Sequence, residues 1–145
     1  MIRQLAHLNL STDCPEALLG FYTEALGLKV QFTLDGDDGE PIGWYLACGN
    51  RTFLEILDRD RAAKKWPDTS RALIKGTRLR HFCFEVDDIE GCKARLEARG
   101  IGVRALAVGI DHSRQAWVRD PDGNDIELME YTPASLQLRA AAPPA

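Results

Sequence analysis

The chain has 145 residues, of which 45% are hydrophobic and 28% are charged, as expected for one globular domain with a buried core. Its formal net charge of −4 predicts no general attraction to nucleic acid, and no apolar run approaches the roughly 20 residues that a helix needs to cross a membrane. The first residues lack the pattern of a secretory signal and the four cysteines are widely spaced, so we expect a cytoplasmic protein with reduced thiols.

The first part of the chain predicts one strand, one helix and then three strands. The helix begins after the sequence Ser11-Thr12-Asp13-Cys14-Pro15, whose hydroxyl and carboxylate groups suit a helix start. Apolar residues spaced by three and four follow, and Gly27 provides a left-handed end. The strands are expected near residues 2–10, 29–33, 43–48 and 51–57.

A basic linker, residues 58–77, separates this part from the next. It holds six cations, namely Arg59, Arg61, Lys64, Lys65, Arg71 and Lys75. One interpretation is a solvated connector with a helical turn near residues 61–66. The other is a mobile flap that draws in an anionic substrate.

The second part of the chain repeats the same order of elements. Its helix begins at Asp87-Asp88 and ends at Gly100. Its strands are expected near residues 78–86, 103–106, 114–119 and 125–130. Residues 136–145 are predicted to form a disordered tail.

Matching residues recur in the two parts at an offset of 72 to 74 positions, which predicts a duplication. The pairs are His7 and His81, Gly27 and Gly100, Trp44 and Trp117, Gly49 and Gly123, and Glu55 and Glu127. The predicted fold class is therefore α+β, with two tandem βαβββ modules at about residues 2–57 and 78–131. Both modules are assigned to a single domain, residues 1–135.

Two histidines and two glutamates at matching positions predict a metal site. Alternation along the strands places His7 and His81 on the less apolar face. Glu55 and Glu127 lie within apolar strands, where an ionised carboxylate needs a cation, a proton or water. Any one of these residues alone would be an ordinary structural side chain; together they suit Zn, Ni, Mn, Co or Fe. Cys83, on the face of His81, is interpreted as a small core residue.

These motifs resemble the vicinal oxygen chelate superfamily, which includes glyoxalase I, extradiol dioxygenases and bleomycin resistance proteins. The resemblance rests on His7-Leu8-Asn9-Leu10, Phe21-Tyr22, Leu26-Gly27-Leu28 and the segment from Asp120 to Leu128. It implies an open, cupped mixed sheet with helices outside, and one divalent metal bound by His7, Glu55, His81 and Glu127. A glutamate at the second position is typical of glyoxalase I.

The resemblance implies a glyoxalase-like lyase or isomerase that acts on a small molecule through a metal-stabilised enediolate. Glu127 is then the expected base, with Glu55 as a ligand or second base. Glyoxalase I usually carries an arginine at the position of Ser11, so a glutathione adduct is not predicted unless Arg3, Arg78 or a linker cation substitutes.

Further expectations follow from the same resemblance. The candidate substrate residues, which could equally be ordinary strand packing, are Asn9, Trp44, Phe53, Gln115 and Trp117. The alternatives are an iron-dependent extradiol-type dioxygenase and a metal-free protein that sequesters a small drug-like molecule. Exposed sheet edges favour a homodimer.

Overall fold

The computed structural model describes residues 5–66 and 81–138 and divides the chain into two compact units, Met1–Thr77 and Arg78–Ala145. Each unit contains one open four-stranded mixed sheet with the strand order that a βαβββ module produces. The α+β class and the tandem modules are therefore confirmed. In the described residues, no helix combines the length and apolarity required to cross a membrane.

The first unit follows the predicted order and adds a helix at its end. Its strands are ordered β1-β4-β3-β2, with β1 parallel to β4 and the other pairs antiparallel. A π-helical turn, Phe21–Ala25, directly continues α1. The elements are β1 (His7–Thr12), α1 (Pro15–Gly20), β2 (Lys29–Asp35), β3 (Pro41–Ala47), β4 (Phe53–Asp58) and α2 (Arg59–Lys65).

The second unit has the same topology, with strand order β5-β8-β7-β6 and β5 parallel to β8. Its elements are β5 (Phe82–Glu85), α3 (Ile89–Glu97), β6 (Ala107–Val108), β7 (Arg114–Arg119) and β8 (Asp125–Glu130), followed by a 3-10 helix (Leu136–Leu138). The predicted strand at 103–106 is wrong. Only Val103 bridges to Val118 there, because the chain leaves the ladder before pairing again for two residues in β6.

One face of each sheet packs on the helices and forms the core. The other face is therefore left for polar side chains, as the alternation in the sequence predicted. The buried side chains are Leu10, Leu18, Phe21, Tyr22, Leu46, Leu54 and Ile56 in the first unit and Ile89, Leu96, Ala116, Val118, Ile126 and Leu128 in the second.

The helix ends agree with the sequence except at the start of α1. Asp88 caps α3 by accepting a hydrogen bond from the Gly91 amide at 2.9 Å. Gly27 and Gly100 both adopt a φ of +77°, which only glycine adopts cheaply. At α1 the cap position is Cys14, which gives no side-chain hydrogen bond. Thr12, two residues before the cap position, instead accepts a hydrogen bond from the Cys14 amide at 3.0 Å.

The described part of the linker is a docked helix. Arg61 donates to the Pro41 carbonyl at 3.1 Å and Lys65 donates to the Asp35 carbonyl at 2.5 Å, so α2 is tied to the chain around β3. The helical turn expected near residues 61–66 is thus present as α2, but the helix is docked on its unit instead of being a merely solvated connector. The predicted tail begins inside the 3-10 helix. Residues 67–80 and 139–145, with the rest of the linker and tail predictions, lie outside the described residues.

Candidate metal and substrate site

The candidate ligands of the first unit lie on the face of its sheet that is opposite the core. The parallel register pairs His7 with Phe53 and Asn9 with Glu55, so these four side chains share that face. The Nε2 atom of His7 lies 3.5 Å from an Oε atom of Glu55. The imidazole is 44% exposed, whereas the carboxylate is only 12% exposed. The pair is thus reachable from solvent through its histidine.

The candidate ligands of the second unit repeat this arrangement within their own sheet. His81 directly precedes β5, and its Nε2 atom lies 3.4 Å from an Oε atom of Glu127, with 38% and 11% side-chain exposure. Cys83 is paired in register with Glu127, at the position that Asn9 occupies beside Glu55. Its interpretation as a core residue is wrong, because it is exposed on the face that carries Glu127.

The donor atoms of each pair are spaced as two ligands of one cation are spaced. Bonds of about 2.0–2.2 Å at a tetrahedral angle separate neighbouring ligand atoms by about 3.3–3.6 Å. The observed distances exceed those of an ordinary N–H···O hydrogen bond, about 2.7–3.2 Å. Across the described ranges, no group of three or more His, Cys, Asp or Glu side chains forms a metal cluster. Each unit therefore offers one nitrogen and one oxygen donor, and the four-ligand site stays a prediction.

The residue of β3 that lies beside Glu55 is Tyr45, which was not among the predicted substrate residues, and not the expected Trp44. The register of β3 and β4 pairs Tyr45 with Glu55 and Trp44 with the buried Ile56, so Trp44 lies on the opposite face from the candidate ligands. Matching Trp44 to Trp117 by residue type had therefore assigned the wrong residue of β3 as the counterpart of Trp117. Tyr45 and Trp117 are 72 residues apart, the same offset as the two glutamates, and that match was the available signal.

Tyr45 contacts both candidate ligands of the first unit. Its ring meets His7 edge-on, with 5.6 Å between the ring centroids. Glu55 is the cross-strand partner of Tyr45, so the phenol lies beside that carboxylate. Partial burial, then the negative charge of Glu55 and hydrogen bonding to it, raise the pKa of Tyr45, so the phenol stays protonated and remains a donor.

Trp117 and Gln115 form the corresponding surface of the second unit. Trp117 is paired with Glu127 in register, and its ring lies 4.7 Å from that of His81. Its Nε1–H donates to Gln115 at 3.0 Å rather than to the glutamate. Although Cys83 as a residue is exposed, desolvation of its sulfur by the surrounding protein and the charge of Glu127 raise the pKa of this thiol to about 12, so it is neutral at physiological pH. The structure thus brings four of the five candidate substrate residues to the two ligand-bearing faces: Asn9, Phe53, Gln115 and Trp117.

The chain is similar in sequence to proteins of one superfamily. The sequence model of the Glyoxalase/Bleomycin resistance protein/Dioxygenase superfamily matches residues 4–128. The chain is 26% identical over 137 residues to a probable lactoylglutathione lyase of Vibrio parahaemolyticus, which covers 93% of this chain and 96% of that protein.

Solved structures give the same picture. A lactoylglutathione lyase from Agrobacterium tumefaciens is 26% identical, with a TM-score of 0.63 over 88% of this chain and 92% of that one. An antibiotic-binding protein, TnmS3, from Streptomyces sp. CB03234 is 25% identical, with a TM-score of 0.70 over 90% of this chain and 98% of that one. Proteins named for catalysis and for binding are thus both similar to this chain.

Proposed function

The chain belongs to the Glyoxalase/Bleomycin resistance protein/Dioxygenase superfamily, and from that premise we propose that it is a divalent-metal-dependent lyase or isomerase of the glyoxalase type. Its substrate would be a small molecule with oxygens on two adjacent carbons. The reaction would move a proton between those carbons, which requires no oxidant or reductant.

The observation that carries this proposal is the histidine–glutamate pair that recurs at matching positions of both units, at 3.5 Å and 3.4 Å. We propose that His7, Glu55, His81 and Glu127 together hold one divalent metal. Two carboxylates and two neutral imidazoles would balance a charge of +2, which offsets the cost of nearly burying the carboxylates. When bound, the cation supplies Lewis-acid stabilisation of negative charge on the two substrate oxygens.

The surroundings of the two glutamates support different roles for them. Glu55 has the Tyr45 phenol as its cross-strand neighbour, and that donor can hold the carboxylate in place. The tryptophan opposite Glu127 directs its N–H to Gln115, and the Cys83 thiol, a weak donor, directs its S–H to the Phe84 carbonyl at 3.8 Å. We therefore assign proton transfer to Glu127 and a ligand role to Glu55. Glu127 would take the proton from one substrate carbon and return it to the neighbouring carbon.

A metal-free binding protein is the second candidate, favoured by the likeness to the antibiotic-binding protein. Such a protein has no need for two nearly buried carboxylates beside histidines. A dioxygenase is the third candidate, and it would consume oxygen. We also propose that the protein is a cytoplasmic homodimer, which its four free cysteines and open sheets support. Light scattering that shows only monomer at micromolar concentration would contradict the dimer.

Solvent isotope exchange tests the proposed reaction class. The protein is loaded with Zn, Ni, Mn, Co or Fe and incubated in deuterium oxide with 2-hydroxy-carbonyl compounds. Deuterium should enter the carbon that is reprotonated, and chelation of the metal should stop the exchange. Oxygen uptake with a catechol, without exchange on any hydroxy-carbonyl compound, would favour the dioxygenase instead.

A further inference from the structure

An aromatic wall adjoins the candidate ligands of the first unit. We define it as Phe32, Tyr45 and Phe53. Phe32 and Tyr45 are stacked, with centroids 4.4 Å apart and an interplanar angle of 16°. Tyr45 also meets Phe53 edge-on at 6.0 Å. Because Tyr45 contacts both His7 and Glu55, the wall is continuous with the site where the substrate oxygens are expected.

The outer end of the wall is open within its unit. Phe32 is 45% exposed although it is a large apolar side chain on the ligand-bearing face, as its register with Tyr45 shows. A ring of this kind contributes nothing to the core, which lies on the other side of the sheet. An exposed aromatic face beside polar groups is typical of a surface that binds a flat apolar group.

Among the residues of the second unit that the structure describes, none forms such a wall at the equivalent place. There the ring of Trp117 is accompanied by the guanidinium of Arg104, 6.0 Å from its centroid, and by the amide of Gln115. The ligand-bearing faces of the two units therefore differ in chemistry. That of the first unit is aromatic, and that of the second carries a guanidinium and an amide beside its tryptophan.

Charge on the wall itself is sparse. The carboxylate of Glu55 lies at its inner end, and Lys29 is placed on the same face by its register with Ala47, at the end of the strand. One exposed lysine is a poor match for a multiply charged peptide such as glutathione. The wall is a better match for a neutral ring.

We propose that the natural substrate carries an aryl group and that this group packs on the wall of Phe32 and Tyr45. The class is an aryl-substituted 2-hydroxy-carbonyl compound. The assignment of its adjacent oxygens to the metal ligands rests on the proposed function, whereas the aryl contact stands on the wall alone.

Binding of three matched acids tests the proposal. Mandelate has a phenyl ring, hexahydromandelate a cyclohexyl ring, and lactate a methyl group, with the same hydroxyl and carboxylate in each. Their affinities for the full chain are measured by calorimetry, once after EDTA treatment and once with zinc. Mandelate should bind best in both states, and lactate at least 10-fold more weakly. Phe32→Leu should weaken mandelate binding by about 3- to 10-fold, the usual contribution of an aromatic pair, and leave lactate binding unchanged.

Two variants provide controls. Val30→Ala alters a side chain of the same strand with nearly equal exposure, 46%, which pairs with the buried Leu46 on the other face. Lys29→Ala removes the cation at the end of the wall. Both should keep the preference for mandelate.

The outcomes separate this proposal from the proposed function. A preference for mandelate that persists without zinc and is not strengthened by zinc supports the wall and contradicts the metal-dependent function. Equal affinities for mandelate and lactate in both states would overturn the aryl proposal, even if zinc tightens both. A Phe32→Leu variant that changes the oligomeric state and leaves the mandelate preference intact would also overturn it, since the wall would then be an interface between copies.

Discussion

Replacing Tyr45 by phenylalanine removes the phenol hydroxyl that interacts with Glu55 and leaves the aromatic ring in place. The ring contacts with His7 and Phe32 do not involve the hydroxyl, so the wall should persist. What changes is the orientation of the Glu55 carboxylate. We expect weaker metal binding and an unchanged preference for aryl ligands.

The size of the expected loss of metal affinity follows from the environment of the Tyr45–Glu55 interaction. Hydrogen bonds to a charged group contribute about 1.5–3 kcal/mol. The Glu55 side chain keeps 12% of its surface exposed, and water can partly replace the lost donor, so the lower end of that range applies. About 1.5 kcal/mol corresponds to about a 10-fold loss of metal affinity, which agrees with the effect of removing partners that orient metal ligands.

Competition with a fluorescent zinc chelator measures this loss. Trp117→Phe is the matched control, because Trp117 stands opposite Glu127 as Tyr45 stands opposite Glu55, but its N–H is bonded to Gln115. That variant should change zinc affinity by less than about twofold. Equal losses in the two variants, or no loss with Tyr45→Phe, would refute the claim that the Tyr45 hydroxyl positions Glu55.

Three other predictions concern the second unit. Glu127→Gln should retain metal but lower isotope exchange by about 10²–10⁴-fold, since an amide cannot accept the proton, and Glu55→Gln should lower it less; a reversed order would reject Glu127 as the base. In metal-free protein, burial and the Glu127 charge raise the pKa of Cys83 to about 12, so the folded state holds its proton after the unfolded thiol, with an ordinary value of 9.0, has lost it. The free energy of unfolding should therefore fall as pH rises from about 9 to 12. Iodoacetamide should also alkylate Cys83 at pH 8 on the order of 10³-fold more slowly than an unperturbed thiol. Rapid labelling of Cys83 in peptide mapping would contradict the raised pKa. Asp88→Ala removes the cap on the Gly91 amide and should cost about 1 kcal/mol of unfolding free energy, seen as a lower denaturant midpoint, whereas an unchanged midpoint would show that the cap is not needed.

The sequence predicted most of the architecture because its local signals agree with its long-range pairing. β7 and β8 were predicted at their observed bounds, since alternating side chains are followed by a turn built on Gly123 and Asn124. The helix α3 has both a capping aspartate and a left-handed glycine at its ends. Because the two modules have the same order of elements, the prediction of each element in one module supported the prediction of its counterpart in the other.

Other features depend on register, which residue spacing alone does not determine. β6 pairs over two residues only, so the apolar run before it resembled a strand without being one. Trp44 was selected because it matched Trp117 in residue type, whereas the cross-strand pairing selects Tyr45. A shift by one residue moves a side chain to the opposite face of a sheet. A match in residue type is therefore a weaker guide to the residues of a site than the 72-residue offset between Glu55 and Glu127.

The metal content of the purified protein tests the central claim most directly. After dialysis and reloading with each of Zn, Ni, Mn, Co and Fe, elemental analysis should find about one divalent ion per chain with at least one of these metals. His7→Ala and His81→Ala should each lose most of that ion, because the proposed site takes a ligand pair from each unit. Wild-type protein that holds no metal after reloading with any of the five would contradict the account, as would histidine variants that keep a full equivalent.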